Sequence, residues 1–400
     1  MGASWTRFAK KRFREAFFAR PGAFLSAPFL EFTMNNEQRA LYLNLLSDAI
    51  ESALQACGPE SIRWNYETGL VLRAIRVASG RYFAHRYDDR VRELADSLVA
   101  PDGSIRGYLK EEYNLDQINA GKLVFDIWKE GGDAGYGKAL MSLMSQLATH
   151  PRTESGAFWH KKIYPYQVWL DGLYMFGPFY ARYAAEFSRP ELFGDLCGQL
   201  FHARDAMMDK ATGLYYHAWD ESRRQRWSNP DTGLSPHIWG RAVGWLSMAL
   251  IDVLDWLPAD LPERRDVVAM FRDLMSAVAA AQDESGLWFQ ILDMPEREGN
   301  YLEESASAMF TYSLYKGMRA GILDSSGVEN ADRALAGLVE RFISRDEAGR
   351  LHVNGICKVA GLGGNPYRDG SFAYYMSEPI VSDDFKGSGP FMLALCEALG

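Results

Sequence analysis

The sequence predicts an all-α protein built as a ring of six helix hairpins, an (α/α)6 barrel. Hydrophobic residues recur at helical spacing over most of the chain from Met34 onward, whereas strand-like alternation is brief and local. A weak internal repeat has the length of one helix hairpin with its connections, and residues 34–400 have room for roughly six of them. An open α-solenoid is the alternative, but its repeats are shorter and more regular.

Four similar turns carry the repeat. Each has an acidic residue or Thr, then a small residue, then a glycine that is followed by aromatic or His residues. The segments are TESGAFWHKK (153–162), ATGLYYHAWD (211–220), ESGLWFQILD (284–293) and EAGRLHVNGI (347–356). In a toroid these turns would gather at one end and line a pit.

The helices are predicted from periodicity in chain order. One helix is expected to begin at Ser235, an N-cap residue followed by Pro236 in the first turn, and to end before Pro258. The others are predicted at 40–56, 67–79, 89–99, 115–130, 138–149, 171–186, 190–210, 263–281, 304–320, 329–343 and 387–399.

Composition bounds the class of protein. The chain is 48% hydrophobic and 24% charged, as in globular proteins, and we find no apolar run of the roughly 18 residues that a transmembrane helix needs. Its net charge of -9 argues against nucleic-acid binding. The four cysteines are scattered, so neither a zinc site nor a disulfide framework is predicted. We expect a cytoplasmic protein that is a monomer or a homodimer, binds no membrane and needs no metal or cofactor.

Residues 1–33 differ from the remainder. A basic segment is followed by a short apolar one that Pro21, Pro28 and Glu31 interrupt, so a signal peptide is not convincing. We expect an N-terminal extension, poorly ordered or outside the core, and a single catalytic domain over residues 34–400.

The stretch Ile163–Tyr183 is almost wholly apolar and aromatic, with one acidic side chain, Asp171, in its middle. An ionised carboxylate in such surroundings is costly unless it is hydrogen-bonded or paired. Asp171 is therefore either a satisfied structural residue, such as a helix N-cap, or a group for acid–base chemistry.

Further polar candidates lie beside the predicted turns. His160 and Lys161 precede this stretch, His217 lies in LYYHAWD, and Trp239, Arg241 and Trp245 lie at the start of the next predicted helix. Asp116 could equally be an N-cap. Arg241 at a helix start would suit a substrate carboxylate, but an interhelix salt bridge is the simpler reading of it. His217 and the tryptophans are equally compatible with the core. Nucleophile elbows, P-loops and HExxH motifs are lacking.

Several segments together resemble the unsaturated rhamnogalacturonyl hydrolases, glycoside hydrolase family 105, which is related to the unsaturated glucuronyl hydrolases of family 88. They are YPYQVWLDGLYMFGPFYARYA, GLYYHAWDES, SPHIWGRAVGWLSMAL, GLWFQILD, NYLEESASAMFTYSLYKG and DDFKGSGPFMLA. The similarity is collinear from about Trp64 to the C-terminus, and the order WLDGLYM then W-x-R-A-x-G-W is specific.

The resemblance implies an (α/α)6 barrel that releases a 4,5-unsaturated uronic acid, in this subfamily galacturonic acid, from the non-reducing end of lyase-generated rhamnogalacturonan oligosaccharides. It implies that Asp171 protonates C4 of the double bond and activates the water that adds at C5, with Asp116 assisting. By the same resemblance a further set of residues lines the sugar site: His217, Trp239, Arg241, His160, Trp245, Tyr66 and Lys386.

Other activities stay open from the residues alone. An unsaturated glucuronyl hydrolase acting on ulvan, arabinogalactan or glycosaminoglycan fragments is the nearest alternative. A polysaccharide lyase or an inverting glycosidase on the same toroid is more remote, since two carboxylates such as Asp116 and Asp171 could also flank a glycosidic bond. A toroid that binds sugars without catalysis is the third class.

Overall fold

A computed structural model describes residues 34–400. The predicted N-terminal extension, residues 1–33, lies outside the described residues. The helices are α1 (Asn36–Ala56), α2 (Tyr66–Tyr82), α3 (Asp88–Asp96), α4 (Gly121–Gly131), α5 (Ala134–Ala148), α6 (Leu170–Glu186), α7 (Glu191–Met207), α8 (Gly240–Leu254), α9 (Arg264–Ala280), α10 (Glu304–Arg319), α11 (Val328–Phe342), α12 (Phe372–Ser377) and α13 (Phe385–Leu399). The strands are β1 (Gln167–Trp169), β2 (Ala218–Asp220), β3 (Ile343–Arg345), β4 (Leu351–Val353), β5 (Ile356–Cys357) and β6 (Ile380–Val381).

Six helices form an inner ring. In chain order they are α2, α4, α6, α8, α10 and α13; each packs against the next, and α13 returns to pack against α2. An outer helix precedes each of them, namely α1, α3, α5, α7, α9 and α11. The predicted (α/α)6 barrel is confirmed.

Burial explains which helices form the inner ring. Every residue of α8 is buried, whereas α11 buries only a stripe that includes Ala331, Leu335 and Leu338. A helix that is apolar on all sides must be enclosed, and an amphipathic helix covers it from outside.

The predicted repeat corresponds to a repeated turn after the outer helices. Gly156, Gly213, Gly286 and Gly349 have φ of 102, 76, 84 and 80°, a conformation that favours glycine. Each turn is closed by a similar backbone hydrogen bond, from Thr153 N to Ala157 O in the first and from Asp283 N to Leu287 O in the third. The turn at Gly103, with φ of 89°, is a further copy. This copy of the turn is not recognisable in the sequence, because Ile105 and Arg106 stand where most of the other copies have aromatic residues.

Two predicted helices begin more than four residues away from their start in the structure. The helix expected to begin at Ser235 begins at Gly240, because the preceding backbone pairs elsewhere: Ser235 and Ala218 exchange hydrogen bonds, and His217 N donates to His237 O. The helix predicted over 115–130 is a 3-10 turn, Leu115–Ile118, followed by α4.

Short antiparallel strand pairs join the ends of inner helices. In the pair β1–β2, Trp169 lies opposite Ala218, and the N–H of Leu170 donates to the carbonyl of His217. This pairing holds the start of α6 against the turn that carries His217. In the part of the chain that the structure describes, no helix is long and apolar enough to cross a membrane.

Candidate active site

The candidate site lies where the inner helices begin. Tyr66 starts α2, Asp171 is in the first turn of α6, Trp239 is the N-cap of α8, and Lys386 is the second residue of α13. The dipoles of these helices add a positive contribution to the potential at this end of the barrel, although the whole chain is acidic.

Asp171 faces His217. Its Oδ2 lies 3.4 Å from Nε2 of His217, and neither atom makes a hydrogen bond with the described residues. The Asp171 side chain is 15% exposed, whereas its Oδ2 is buried. Of the two carboxyl oxygens, Oδ1 is therefore the one that can meet a substrate.

Asp116 is in a different electrostatic environment. Lys161 Nζ lies 2.6 Å from its Oδ2, and His160 Nε2 lies 3.6 Å from its Oδ1. Burial acts to raise the pKa of Asp116, but the charge of Lys161, with a contribution from His160, lowers it below its ordinary value. Asp116 is thus held as a carboxylate. The 3-10 turn that carries Asp116 packs directly against α6.

His160 belongs to an aromatic stack. Its ring lies parallel to that of Trp169, with centroids 4.6 Å apart, and the Tyr164 ring also stacks on Trp169, at 5.0 Å. Burial lowers the pKa of His160 to about 4, more than Asp116 raises it, so the imidazole is neutral near pH 7.

Trp239 and Arg241 are enclosed side chains. The Trp239 ring lies 4.7 Å from that of His217, and its indole N–H donates to Gln290 at 3.1 Å. The Arg241 guanidinium lies 5.0 Å from the Trp239 ring and donates to Ser305 Oγ and to the carbonyl of Cys357. Arg241 is only 1% exposed, and its Nη1 and Nη2 atoms each donate to the protein, so we expect it to act on the site chiefly through its charge.

Tyr66, Trp245 and Lys386 complete the predicted set. Tyr66 packs edge-on against Trp245, and burial, with the charges of Glu67 and Asp116, raises its pKa well above the ordinary value. Trp245 is 1% exposed between Tyr66 and Tyr174, so its packing is that of a core residue. Lys386 donates to Glu67 and Asp384, at 2.7 and 2.8 Å.

The structure brings several of the nine predicted residues into direct contact: Asp116 with His160, Asp171 with His217, His217 with Trp239, Trp239 with Arg241, and Tyr66 with Trp245. Their roles stay predictions, and the burial of Trp245 and Lys386 favours support over direct contact with a sugar.

Several residues around the site were not in the predicted set. Glu303 caps α10 and accepts hydrogen bonds from Ser305, Ala306 and the N–H of Cys357, whereas neither carboxyl oxygen of Glu304 has a partner among the described residues. In the sequence, the two adjacent glutamates before an apolar run in NYLEESASAMF could have indicated these residues. Tyr375 contacts His217 from a segment 158 residues away, which no local pattern reveals.

The arrangement supplies two carboxyl groups with different tasks. Asp116 is neutralised by an adjacent ammonium group, and Asp171 has a neighbouring imidazole with which it can share a proton. Paired carboxyl groups in unlike environments are typical of acid–base sites. Within residues 34–400, no group of three or more His, Cys, Asp or Glu side chains is arranged to hold a metal ion.

Comparisons with known proteins identify the family. The sequence model of Glycosyl Hydrolase Family 88 matches residues 48–400. Protein Atu3128 of Agrobacterium fabrum is 48% identical over 233 residues, which cover 56% of this chain and 97% of that protein. The unsaturated rhamnogalacturonyl hydrolase YesR of Bacillus subtilis is 32% identical over 245 residues, which cover 59% of this chain and 67% of YesR.

A solved structure agrees with this assignment. A family 105 glycoside hydrolase from C. acetobutylicum superposes with a TM-score of 0.86 at 45% identity, and the match covers 89% of this chain and 99% of that one. The predicted resemblance and enzyme class are confirmed: the chain belongs to Glycosyl Hydrolase Family 88, has a family 105 enzyme as a structural relative, and is a glycoside hydrolase.

Proposed function

We propose that this enzyme removes a 4,5-unsaturated galacturonic acid from the non-reducing end of rhamnogalacturonan fragments produced by a lyase. The observation that carries the proposal is the unlike pair of carboxyl groups. Within residues 34–400 no Lys or Arg side chain is bonded to Asp171, whereas Asp116 is bound to Lys161. The similarity to a rhamnogalacturonyl hydrolase supports the substrate class.

The reaction hydrates a vinyl ether. Asp171 in its protonated form donates the proton to C4 of the double bond, and a water adds at C5 after giving its own proton to the resulting carboxylate. The C5 hemiketal opens by breaking the bond between C5 and the ring oxygen. The hemiacetal left at C1 then collapses to an aldehyde and releases the remaining sugar, so that one water is consumed in all.

Asp116 has a supporting role in this scheme. Its lowered pKa keeps it ionised, so it accepts hydrogen bonds from substrate hydroxyl groups or from the attacking water. Lys161, Arg241 and the helix starts supply the positive potential that attracts the uronate group of the substrate.

The test is the loss of the absorbance of the conjugated double bond. Purified enzyme is incubated with lyase-digested rhamnogalacturonan and, in parallel, with unsaturated chondroitin and ulvan disaccharides. We expect the first substrate to be consumed fastest; preference for another would assign a glucuronyl specificity, and consumption of none would refute the proposal.

Asp171→Asn is expected to abolish turnover of that substrate while the fold is retained. Asp205→Asn, on the outer helix α7 with a side chain 66% exposed, is the matched control and should leave the rate unchanged. In 18O-labelled water the label should appear at C5 of the product and not at C1. Full activity of Asp171→Asn would transfer the catalytic role elsewhere, with Asp116 as the first candidate.

A further inference from the structure

Behind Asp171, a histidine and a tyrosine form a chain that the reaction scheme above does not use. Tyr375 lies in the short helix α12 and is fully buried. Its hydroxyl oxygen lies 2.7 Å from Nδ1 of His217, and Nε2 of the same imidazole lies 3.4 Å from Oδ2 of Asp171. The three side chains come from α12, from the turn before β2, and from α6.

We propose that Tyr375 is a positioning residue: its hydroxyl donates to Nδ1 of His217 and thereby places the imidazole hydrogen on Nε2, facing Oδ2 of Asp171. This inference rests on the proposed function, because it assigns the state in which Asp171 works.

The hydrogen-bond partners of the Tyr375 hydroxyl favour this tautomer of His217 over the other tautomer and over the charged imidazole. Within residues 34–400 the Tyr375 hydroxyl has no second hydrogen-bond partner in the structure. If Nδ1 carried a hydrogen, in either the neutral or the charged imidazole, the phenol hydrogen would be buried without an acceptor, which is costly. Burial also raises the pKa of Tyr375 well above its ordinary value, so the phenol retains that hydrogen.

The surroundings of His217 keep the ring in one orientation. His217 is fully buried, with Trp169 packed edge-on at 5.4 Å and Trp239 at 4.7 Å. A ring held in this way cannot turn to exchange its two nitrogens without disturbing both tryptophans, so the bond from Tyr375 sets which nitrogen faces Asp171.

The consequence concerns the two carboxyl oxygens of Asp171. A hydrogen on Nε2 faces Oδ2 and favours negative charge on that oxygen, so the transferable proton is carried by Oδ1, on the substrate side. The distance of 3.4 Å is long for a hydrogen bond, and such contacts in enzymes commonly shorten when substrate binds.

The decisive measurement is the nitrogen NMR of the wild-type enzyme with 15N-labelled histidine, assigned by the signals lost in His217→Gln. The chain has seven histidines, so the spectrum is simple. We expect His217 to be neutral, with an unprotonated Nδ1 and a protonated Nε2. A hydrogen on Nδ1, in a neutral or a charged ring, would overturn the proposal.

Kinetics of Tyr375→Phe provide the second readout. Loss of one buried hydrogen bond is expected to lower kcat about tenfold, with KM unchanged, and to shift the Nδ1 resonance of His217. Tyr374→Phe is the matched control, because Tyr374 lies in the same helix as Tyr375 but its hydroxyl accepts from the N–H of Gly361 and does not contact His217. Equal loss in both variants, or no loss in Tyr375→Phe, would refute the positioning role.

The NMR result is independent of the substrate. If the wild-type enzyme consumes no unsaturated sugar, the proposed function fails, whereas the protonation state of His217 is still read directly. If Tyr375→Phe does not fold, the wild-type spectrum alone decides.

Discussion

The adjacent acids Glu303 and Glu304 should respond in opposite ways to the same substitution. Glu304 is completely buried, and neither of its carboxyl oxygens has a hydrogen-bond partner among residues 34–400. Burial, with the charge of Glu303 adding to it, raises the pKa of Glu304 well above 4.5. The folded protein therefore keeps Glu304 protonated to a higher pH than the unfolded chain does.

The size of the effect follows from proton linkage. Above about pH 4.5 the folded state binds one more proton at Glu304 than the unfolded state, so this residue lowers the free energy of unfolding as the pH rises. The slope reaches about 1.4 kcal/mol per pH unit, and it ends at the folded-state pKa. Below pH 4.5 both states are protonated and the effect vanishes.

Glu304→Gln removes this penalty. Urea unfolding, followed by tryptophan fluorescence at each pH from 5 to 8, should show the variant gaining stability relative to wild type by the amount above. A buried amide adds a constant offset that does not alter the slope. A difference between variant and wild type that stays constant with pH would refute a neutral Glu304.

Glu303→Gln is the control. Both carboxylate oxygens of Glu303 accept hydrogen bonds, from Ser305, Ala306 and Cys357. A glutamine amide has only one oxygen that can accept, and its NH2 group would face donors in place of the second oxygen. At pH 7 we expect this variant to lose about 1.5–3 kcal/mol of stability, the usual range for hydrogen bonds to a charged group.

Two further substitutions test the packing and the charge pair. Gly69→Ala should destabilise the protein by about 1–3 kcal/mol, because the added Cβ would lie 2.5 Å from Cα of Ala120. Gly194→Ala should instead stabilise the protein by about 0.5–1 kcal/mol in thermal unfolding, because Ala favours the helix and the added Cβ would meet no neighbouring atom of residues 34–400 within 4 Å. Asp116→Asn should cost about 1.5–3 kcal/mol of stability at pH 7 by removing the partner of Lys161, and adding Lys161→Met should restore part of that loss. Because the pKa of Asp116 is lowered in the folded state, its contribution to stability is present above about pH 3.8 and is lost as the pH falls through the folded-state pKa. No recovery of stability in the double variant would contradict the pairing.

Local sequence determined most of the fold. The period of the apolar residues predicted the helices, and the repeated glycine turns predicted six hairpins, because a glycine in the left-handed region is required wherever an outer helix ends in this turn. The predicted start of α8 was wrong. The N-cap signal at Ser235-Pro236 depends on neighbouring residues, whereas hydrogen bonds with Ala218 and His217, which precede this segment in the chain, hold the same backbone outside the helix.

The sequence by itself also singled out Asp171, because a lone acid in an apolar stretch is visible in one dimension, and the family motifs pointed to Asp116 and His217. Only the tertiary structure decided which charge each carboxyl group meets. Lys161 neutralises Asp116, and Tyr375 reaches His217 behind Asp171. Such contacts join segments up to 158 residues apart, and distances of this kind are created when the ring of helices closes.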